Sequence, residues 1–304
     1  MFLTPSRRRA AVGLAGAAAL VLSMAACGEK KDESSTPGAG GSAAASVSSD
    51  TALADKVPAA IKADGKLIVG TDSTYAPSEF LDADGKTVVG FDVDLFSAVA
   101  GKLGLKAEFQ SAKFDDVIPG VQSGKYEVGV SSFTINDERK KQALMVSYFS
   151  AGTQWAAKKG SSINPDDACG KKVAVQTGTV QETDDLPVRQ QKCKDAGKPE
   201  IKVDSYQAQS DATAAVISGK DDAMLADSPV CAYAVKQTSG QLDLVGKIYD
   251  SAPYGYVVKS DQQALAEAIR DGVKALMADG TYKTILAKWG VDAGALNTDP
   301  AINP

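Results

Sequence analysis

Two well-separated stretches of this chain spell the same local structure, and that echo narrows the possible folds more than any other feature. The first is Val121-Gln122-Ser123-Gly124-Lys125-Tyr126-Glu127, which leads into Val128-Gly129-Val130 and stops at Ser131-Ser132. The second is Val216-Ile217-Ser218-Gly219-Lys220-Asp221-Asp222, which leads into Ala223-Met224-Leu225 and stops at Ala226-Asp227. Each reads as a helix, a Gly stop suited to a left-handed C-cap, a tight turn and a short buried strand with a polar end. An earlier pair echoes in the same way. Gly65-Lys66 opens an apolar run over 66–70 that ends at Thr71-Asp72, and Gly170-Lys171 opens one over 172–175 that ends at Gln176, Thr177, Gly178 and Thr179.

Between the echoes the spacing predicts a helix over 95–103, which Asp92 or Asp94 is placed to cap, and a shorter helix over 115–121. After Tyr249 the pattern changes. Tyr256-Val257-Val258 reads as a strand, and Ser260 with Gln263 reads as a capping box opening a helix that reaches Met277. Residues 278–280 break that helix, and 281–289 form a last one. Alternating strands and helices imply parallel sheets. The simplest architecture is α/β with two lobes on one plan, each an open, mostly parallel sheet flanked by helices. The closing helices return to the first lobe, so the chain crosses twice, near 150–152 and 251–254, and two crossings make a hinge. This places lobe 1 over 58–150 plus 254–304 and lobe 2 over 151–253.

The N-terminal segment speaks to location. Arg7, Arg8 and Arg9 precede an apolar run over 10–26 that stops at Cys27, the layout of a secretory signal peptide over 1–26. Met24-Ala25-Ala26-Cys27 resembles a bacterial lipobox, which implies that Cys27 becomes a lipidated N-terminus; the plainer alternative is a secreted protein in which Cys27 is idle. Residues 28–50 are dominated by Ser, Gly, Ala and charge, too little apolar surface to offset ordering entropy, so a disordered tether is expected over 27–57. An extracytoplasmic protein, lipid-anchored to the outer face of the cell membrane, follows from that reading. The later chain lacks any run of about eighteen uncharged apolar residues.

Composition then excludes whole classes. A net charge of −5 without a basic stripe argues against nucleic-acid partners. There is no histidine, which removes His-based catalytic triads and the usual zinc sites, so neither metal nor cofactor is expected. Cys169 and Cys193 lie in one segment of an exported chain, where a disulfide persists. Cys231, left over, follows the helix start Ser228-Pro229 and reads as a small buried apolar residue.

In open α/β sheets, ligands sit beyond the carboxyl ends of the strands. The polar ends named above, two per lobe, therefore converge on one cleft if the lobes face each other. Their chemistry suits a zwitterion. Asp72 and Asp227 can face an ammonium group, and Arg139, after Thr134-Ile135-Asn136-Asp137-Glu138, can grip a carboxylate through a bidentate guanidinium. Backbone N–H groups around Ser132, Thr134, Thr179 and Val180 add donors. Tyr75 and Phe114 are placed as walls of a side-chain slot. Each residue also has an ordinary structural reading: the aspartates as caps, Arg139 as solvated surface and Phe114 as core.

From about residue 58 to its last helix the chain resembles the family 3 periplasmic solute-binding proteins of polar amino-acid importers, which have the two-lobed type II periplasmic-binding-protein fold. The motifs are Gly70-Thr71-Asp72-Ser73-Thr74-Tyr75-Ala76-Pro77, Gly90-Phe91-Asp92-Val93-Asp94-Leu95, Ser131-Ser132-Phe133-Thr134-Ile135 with Arg139, Gly178-Thr179-Val180-Gln181-Glu182 and Asp279-Gly280-Thr281-Tyr282. The resemblance implies that Arg139 holds the ligand carboxylate with donors from Ser132, Thr134 and Thr179 or Val180. It implies that Asp227, helped by Ser131, takes the ammonium, while Asp72, Tyr75, Phe114 and Gln176 line the side-chain end. Ser78 departs from the bulky residue common after Ala-Pro, which predicts a wider or more polar rim. With Asp72, Glu79 and Gln176 but no Arg or Lys at that end, a neutral polar or cationic amino acid is expected over an acidic one. Implied partners are the permease subunits of an ABC importer and the membrane, and a monomer is expected. A sensory ligand-binding module or, at greater distance, a cyclohexadienyl-dehydratase-like enzyme are the competing readings.

Overall fold

In the computed structural model residues 47–304 are described; the expected signal peptide and Cys27 lie outside them. The expected tether does not extend to residue 57. Asp50 accepts hydrogen bonds from the N–H groups of Ala52 (2.9 Å) and Leu53 (3.2 Å) and caps a one-turn helix, α1 (Thr51–Ala54). Leu53 and Val57 are buried in the adjoining core, and two docked apolar side chains are enough to order the segment.

After α2 (Ala59–Asp64) come β1 (Lys66–Thr71) and three short strands, β2 (Thr74–Tyr75), β3 (Glu79–Leu81) and β4 (Val88–Val89). Next are α3 (Phe91–Lys102), β5 (Lys106–Ser111), α4 (Phe114–Ser123), β6 (Val128–Gly129) and α5 (Asp137–Lys140). A long strand, β7 (Ala143–Lys158), leads to β8 (Lys172–Gln176), α6 (Leu186–Asp195), β9 (Lys202–Tyr206), α7 (Gln209–Ser218), β10 (Ala223–Asp227) and α8 (Ser228–Gln237). A second long strand, β11 (Leu242–Lys259), precedes the closing helices α9 (Gln263–Ala278) and α10 (Thr281–Trp289).

The main sheet has the order β5-β1-β6-β11-β7-β10-β8-β9. β1 pairs in parallel with β5 and β6, and β8 pairs in parallel with β9 and β10. β7 and β11 lie antiparallel in the middle and run through both halves. The chain crossings expected near 150–152 and 251–254 are therefore paired strand: Ala151 faces Ala252 and Ser150 faces Pro253, with register shifts on either side. β8, whose last four residues are all buried, is the continuous apolar run of a strand covered on both faces. Each half has its own core. Leu67, Val69, Phe96 and Val99 pack with Leu265, Ile269 and Val273 in the first, and Trp155, Val173, Val175, Leu186 and Leu225 pack in the second. A disulfide joins Cys169 to Cys193 with Cα atoms 5.6 Å apart, and Cys231 is free and buried. Among the described residues no helix is long and apolar enough to cross a membrane.

Two helix starts differ from expectation. α3 begins at Phe91 with Gly90 as its cap, so Asp92 and Asp94 sit inside the first turn and do not cap it. Gly90 has φ +143°, and a Cβ there would stand 2.0 Å from the Ser78 carbonyl oxygen, so only glycine lets the β2–β3 hairpin approach the helix. Asp94 instead accepts from Lys288 Nζ (2.7 Å) and Trp289 Nε1 (2.8 Å), which ties α10 to α3. The capping box at Ser260 and Gln263 does not form. Gln262 is the cap residue without a side-chain bond, and the Gln263 amide donates to Glu267 one turn on, at 2.9 Å.

Candidate ligand-binding cleft

The polar strand ends meet between the halves. Tyr75, Phe114, Ser132, Thr134 and Arg139 from the first half line one small cavity with Thr179, Val180, Gln181 and Asp227 from the second. Asp72 and Gln176 stand behind this wall, joined to it by hydrogen bonds with Phe114 and Thr179, and Ser131 bonds in turn to Asp72.

Arg139 enters from α5, whose cap, Asn136, accepts the Arg139 N–H at 2.9 Å. Its guanidinium lies 5.4 Å from the centroids of both Phe114 and Phe133, which stack at 4.6 Å. Nη1 donates to the Thr134 carbonyl (2.8 Å), and Nη2 donates across the cleft to the Gly178 carbonyl (3.0 Å). Burial pushes its pKa down to about 10, against the pull of Asp227, Asp184 and Tyr75, so the group remains a cation at neutral pH. A fixed fork on an aromatic floor is a suitable grip for a carboxylate.

Asp227 ends β10 and opens α8. Its Oδ1 accepts from Gln181 Nε2 (2.8 Å), and its Oδ2 accepts from the Tyr75 hydroxyl (2.9 Å). Tyr75 belongs to the opposite half and also accepts the Asp227 N–H at 3.3 Å. Burial raises the Asp227 pKa, while Tyr254, Gln181, Tyr75 and the Arg139 charge oppose the rise. Gln181 was not among the residues singled out from sequence. It begins a π-helical turn, Gln181–Asp185, is buried, and also donates to Thr153 Oγ1 at 3.1 Å. Its sequence signal is its place in the motif over 178–182, two residues after Thr179.

Asp72 takes the cap role of its ordinary structural reading and does not itself line the cavity. It caps α4 at a distance, with Oδ2 accepting the Phe114 N–H (3.1 Å), and it reaches across the cleft to Gln176 Nε2 (3.0 Å). Its other oxygen accepts from Thr74 N–H (2.9 Å) and the Thr74 hydroxyl (2.5 Å). Burial raises its pKa, and these four donors pull the other way. Gln176 Oε1 is buried with no donor facing it.

Three expectations need correction in detail. The Ser132 N–H and hydroxyl both donate to Asp92 Oδ2, at 3.0 and 3.1 Å, so in this arrangement they serve the turn and not a ligand. Thr179 Oγ1 donates to the Gln176 carbonyl at 2.7 Å and closes its own turn. Ser78 is fully buried beneath Gly90 and Glu79 is fully buried against Ser131, so neither shapes the rim.

Residues 67–292 match the model of the bacterial extracellular solute-binding proteins, family 3. The chain is 37% identical over 243 residues to the arginine-binding protein ArgT of Corynebacterium glutamicum, covering 79% of each chain. It is 30% identical over 287 residues to the ABC transporter glutamine-binding protein GlnH of Bacillus subtilis, covering 92% of this chain and 94% of that one. Among solved structures, an ancestral arginine-binding protein bound to arginine superposes with a TM-score of 0.68 at 40% identity, over 74% of this chain and 98% of the other. The chain with this cleft therefore belongs to family 3 of the bacterial extracellular solute-binding proteins.

Proposed function

We propose that this protein is the solute-capturing receptor of an amino-acid ABC importer, and that its solute is a cationic amino acid of the arginine type. The observation that carries the reading is that Arg139 and Asp227, from opposite halves, line a single cavity. A zwitterion placed between them meets a cation at its carboxylate and an anion at its ammonium. The side-chain end then points at Asp72 and at the unpartnered acceptor of Gln176, a pair suited to a guanidinium. A ligand carboxylate there would be buried beside Asp72, which is costly. The names of ArgT and of the arginine-bound ancestral protein agree with this choice.

Capture works by closure of lobe 1 (58–150 with 254–304) on lobe 2 (151–253) about the β7–β11 strands, after which the closed form is handed to a membrane permease. The receptor acts as a monomer and is held to the outer face of the membrane through a lipid on Cys27. It does not transform its solute. An acid–base reaction needs a group free to exchange a proton with substrate, whereas all four oxygens of Asp72 and Asp227 already accept hydrogen bonds.

A thermal-shift screen of the twenty common amino acids tests the reading. A solute at a hundredfold excess over its Kd stabilises the folded state by about 2.7 kcal/mol. L-arginine is expected to give the largest shift, lysine and glutamine smaller ones, and glutamate none. A shift for glutamate alone overturns the solute assignment, and recovery of chemically altered arginine after long incubation overturns the non-catalytic role.

A further inference from the structure

Behind the cleft wall lie two carboxyls that the solute-binding reading leaves unused. Glu79 on β3 and Asp92 in the first turn of α3 are both 0% exposed. The strongest charges acting on Glu79 are two other acids, Asp92 and Asp72. Glu79 Oε1 accepts from the Ser131 hydroxyl at 2.8 Å. Asp92 Oδ2 takes the Ser132 N–H, the Ser132 hydroxyl and the Tyr148 hydroxyl, the last at 2.6 Å. One oxygen remains on each carboxyl, Glu79 Oε2 and Asp92 Oδ1, and neither has a donor. The two residues adjoin through the backbone, where the Asp92 N–H donates to the Ser78 carbonyl at 3.1 Å, and each carboxyl acts on the other. Two bare anionic oxygens in that position repel, whereas a single proton between them gives one a donor and the other an acceptor.

We infer that Glu79 and Asp92 share one proton, and that this carboxyl–carboxylate pair sets the hydrogen-bond polarity of the Ser131–Ser132 turn that faces the solute. Both are positioning residues. Ser131 Oγ accepts the Asp72 N–H at 3.0 Å and spends its only proton on Glu79, so what it can still offer is a lone pair. That makes Ser131 an acceptor for an ammonium group and a poor partner for a carboxylate. Ser132 sits at φ +49°, a left-handed conformation uncommon for a non-glycine residue, held there by its two bonds to Asp92. The link to the solute rests on the function proposed above; the proton itself does not.

Direction of the pH effect follows from burial, which raises the pKa of both carboxyls. The groups facing the pair are Tyr148 on β7, Tyr256 on β11 and Asp72 after β1, all neutral or anionic. Lys288 on α10 bridges to Asp94, and Lys102 at the end of α3 itself bridges to Asp279. The folded pair thus holds a proton that the unfolded chain has released, and stability falls as pH rises until the folded pair ionises.

Glu79→Gln tests this, because a glutamine here keeps a carbonyl for Ser131 and supplies a permanent N–H to Asp92. The full chain and the variant are titrated with L-arginine by calorimetry between about pH 6 and pH 10, and both are melted without solute. The ratio of the two Kd values cancels titration of arginine itself. Wild-type Kd is expected to rise relative to the variant towards alkaline pH, approaching about tenfold per pH unit where one proton is lost. The solute-free melting midpoint of wild type should fall relative to that of the variant over the lower part of the range, where the folded pair keeps its proton, and level off where the Kd ratio starts to rise. A melting difference that stays constant with pH overturns the shared proton, whatever arginine does. A melting difference that changes and then levels off, with a Kd ratio that stays flat beyond that point, overturns the claim that the pair governs the turn, and failure of arginine to bind either protein sinks the solute assignment instead. If Glu79→Gln does not fold, Asp92→Asn supplies the same comparison from the other side of the pair.

Discussion

The two halves of the cleft begin alike and end differently. α4 and α7 each end at a glycine, Gly124 and Gly219, with φ of 79° and 80°. The next residue closes the same bond in both, Lys125 N–H to the Gly120 carbonyl and Lys220 N–H to the Ala215 carbonyl, each at 2.9 Å. The following strands, β6 and β10, join β1 and β8 in parallel on the same side relative to β5 and β9. Beyond the strands the likeness stops. β6 runs into the Ser131–Ser132 turn, clamped from behind by Glu79 and Asp92, while β10 delivers Asp227 directly into α8. A duplicated frame can thus bring two strand ends to one cleft while leaving each free to carry a different pole.

The largest expected effect breaks that division of labour. Arg139→Met keeps the apolar stem and removes the cation held over Phe114 and Phe133, together with the bond to Gly178 of the opposite half. Losing one side of a buried charge arrangement costs about 3–5 kcal/mol, roughly two to three and a half orders of magnitude in Kd. Asp227→Asn keeps the shape and part of the hydrogen bonding with Gln181 and Tyr75, so it should cost less, about 2–3 kcal/mol. Calorimetry with the amino acid that gives the largest thermal shift reads both. Wild-type affinity in both variants would mean that the poles are not where the solute binds.

The disulfide sharpens the contrast in stability, because it staples only the half that carries Asp227. Cys169 lies just before β8 and Cys193 on α6, 24 residues apart. Closing such a loop stabilises the fold by about 3–4 kcal/mol in the chain-entropy model. The double variant Cys169→Ser with Cys193→Ser should lose that much in a denaturant titration. Its solute affinity, measured well below the transition, should stay close to wild type, since neither cysteine lines the cleft. Cys231 cannot take over as a new partner: it is fully buried, and burial drives its thiol pKa up.

What the sequence makes legible is whatever repeats with a period or ends with a sharp chemical change. The strands over 66–71 and 172–176 are runs of apolar residues that meet polar ones abruptly, and Arg139, Asp227, Tyr75 and Phe114 could be placed from those boundaries and from motif order. Gln181 and the pair Glu79–Asp92 could not be, because their roles come from partners far away in sequence. Ser131 and Glu79 are 52 residues apart, and Gln181 and Asp227 are 46 apart. The same limit explains the caps. Asp92 has the composition of an N-cap but is claimed by Ser132 and Tyr148, and Ser260 has the spacing of a capping box but the helix starts after Gln262. Short strands such as β2 and β4, two residues each, carry no periodicity to read.

The smallest expected effect asks whether the shared frame is shared in energy as well as in shape. A Cβ on Gly124 would meet nothing within 4 Å, and one on Gly219 would meet only Lys158 Nζ at 3.8 Å, an ordinary contact. Replacing either glycine by alanine therefore introduces no clash and charges only the backbone cost of a left-handed residue, roughly 1–2 kcal/mol. The two single variants should lose equal stability to within about 0.5 kcal/mol, and the double variant should lose their sum, since the sites share no partners. Denaturant midpoints at constant slope check this. A clear inequality would mean that one helix–strand unit is held by its surroundings and not by its own cap, so that the echo is one of sequence alone. Equality would mean that each half closes its own turn independently, and that the poles of the cleft are carried on two separately stable supports.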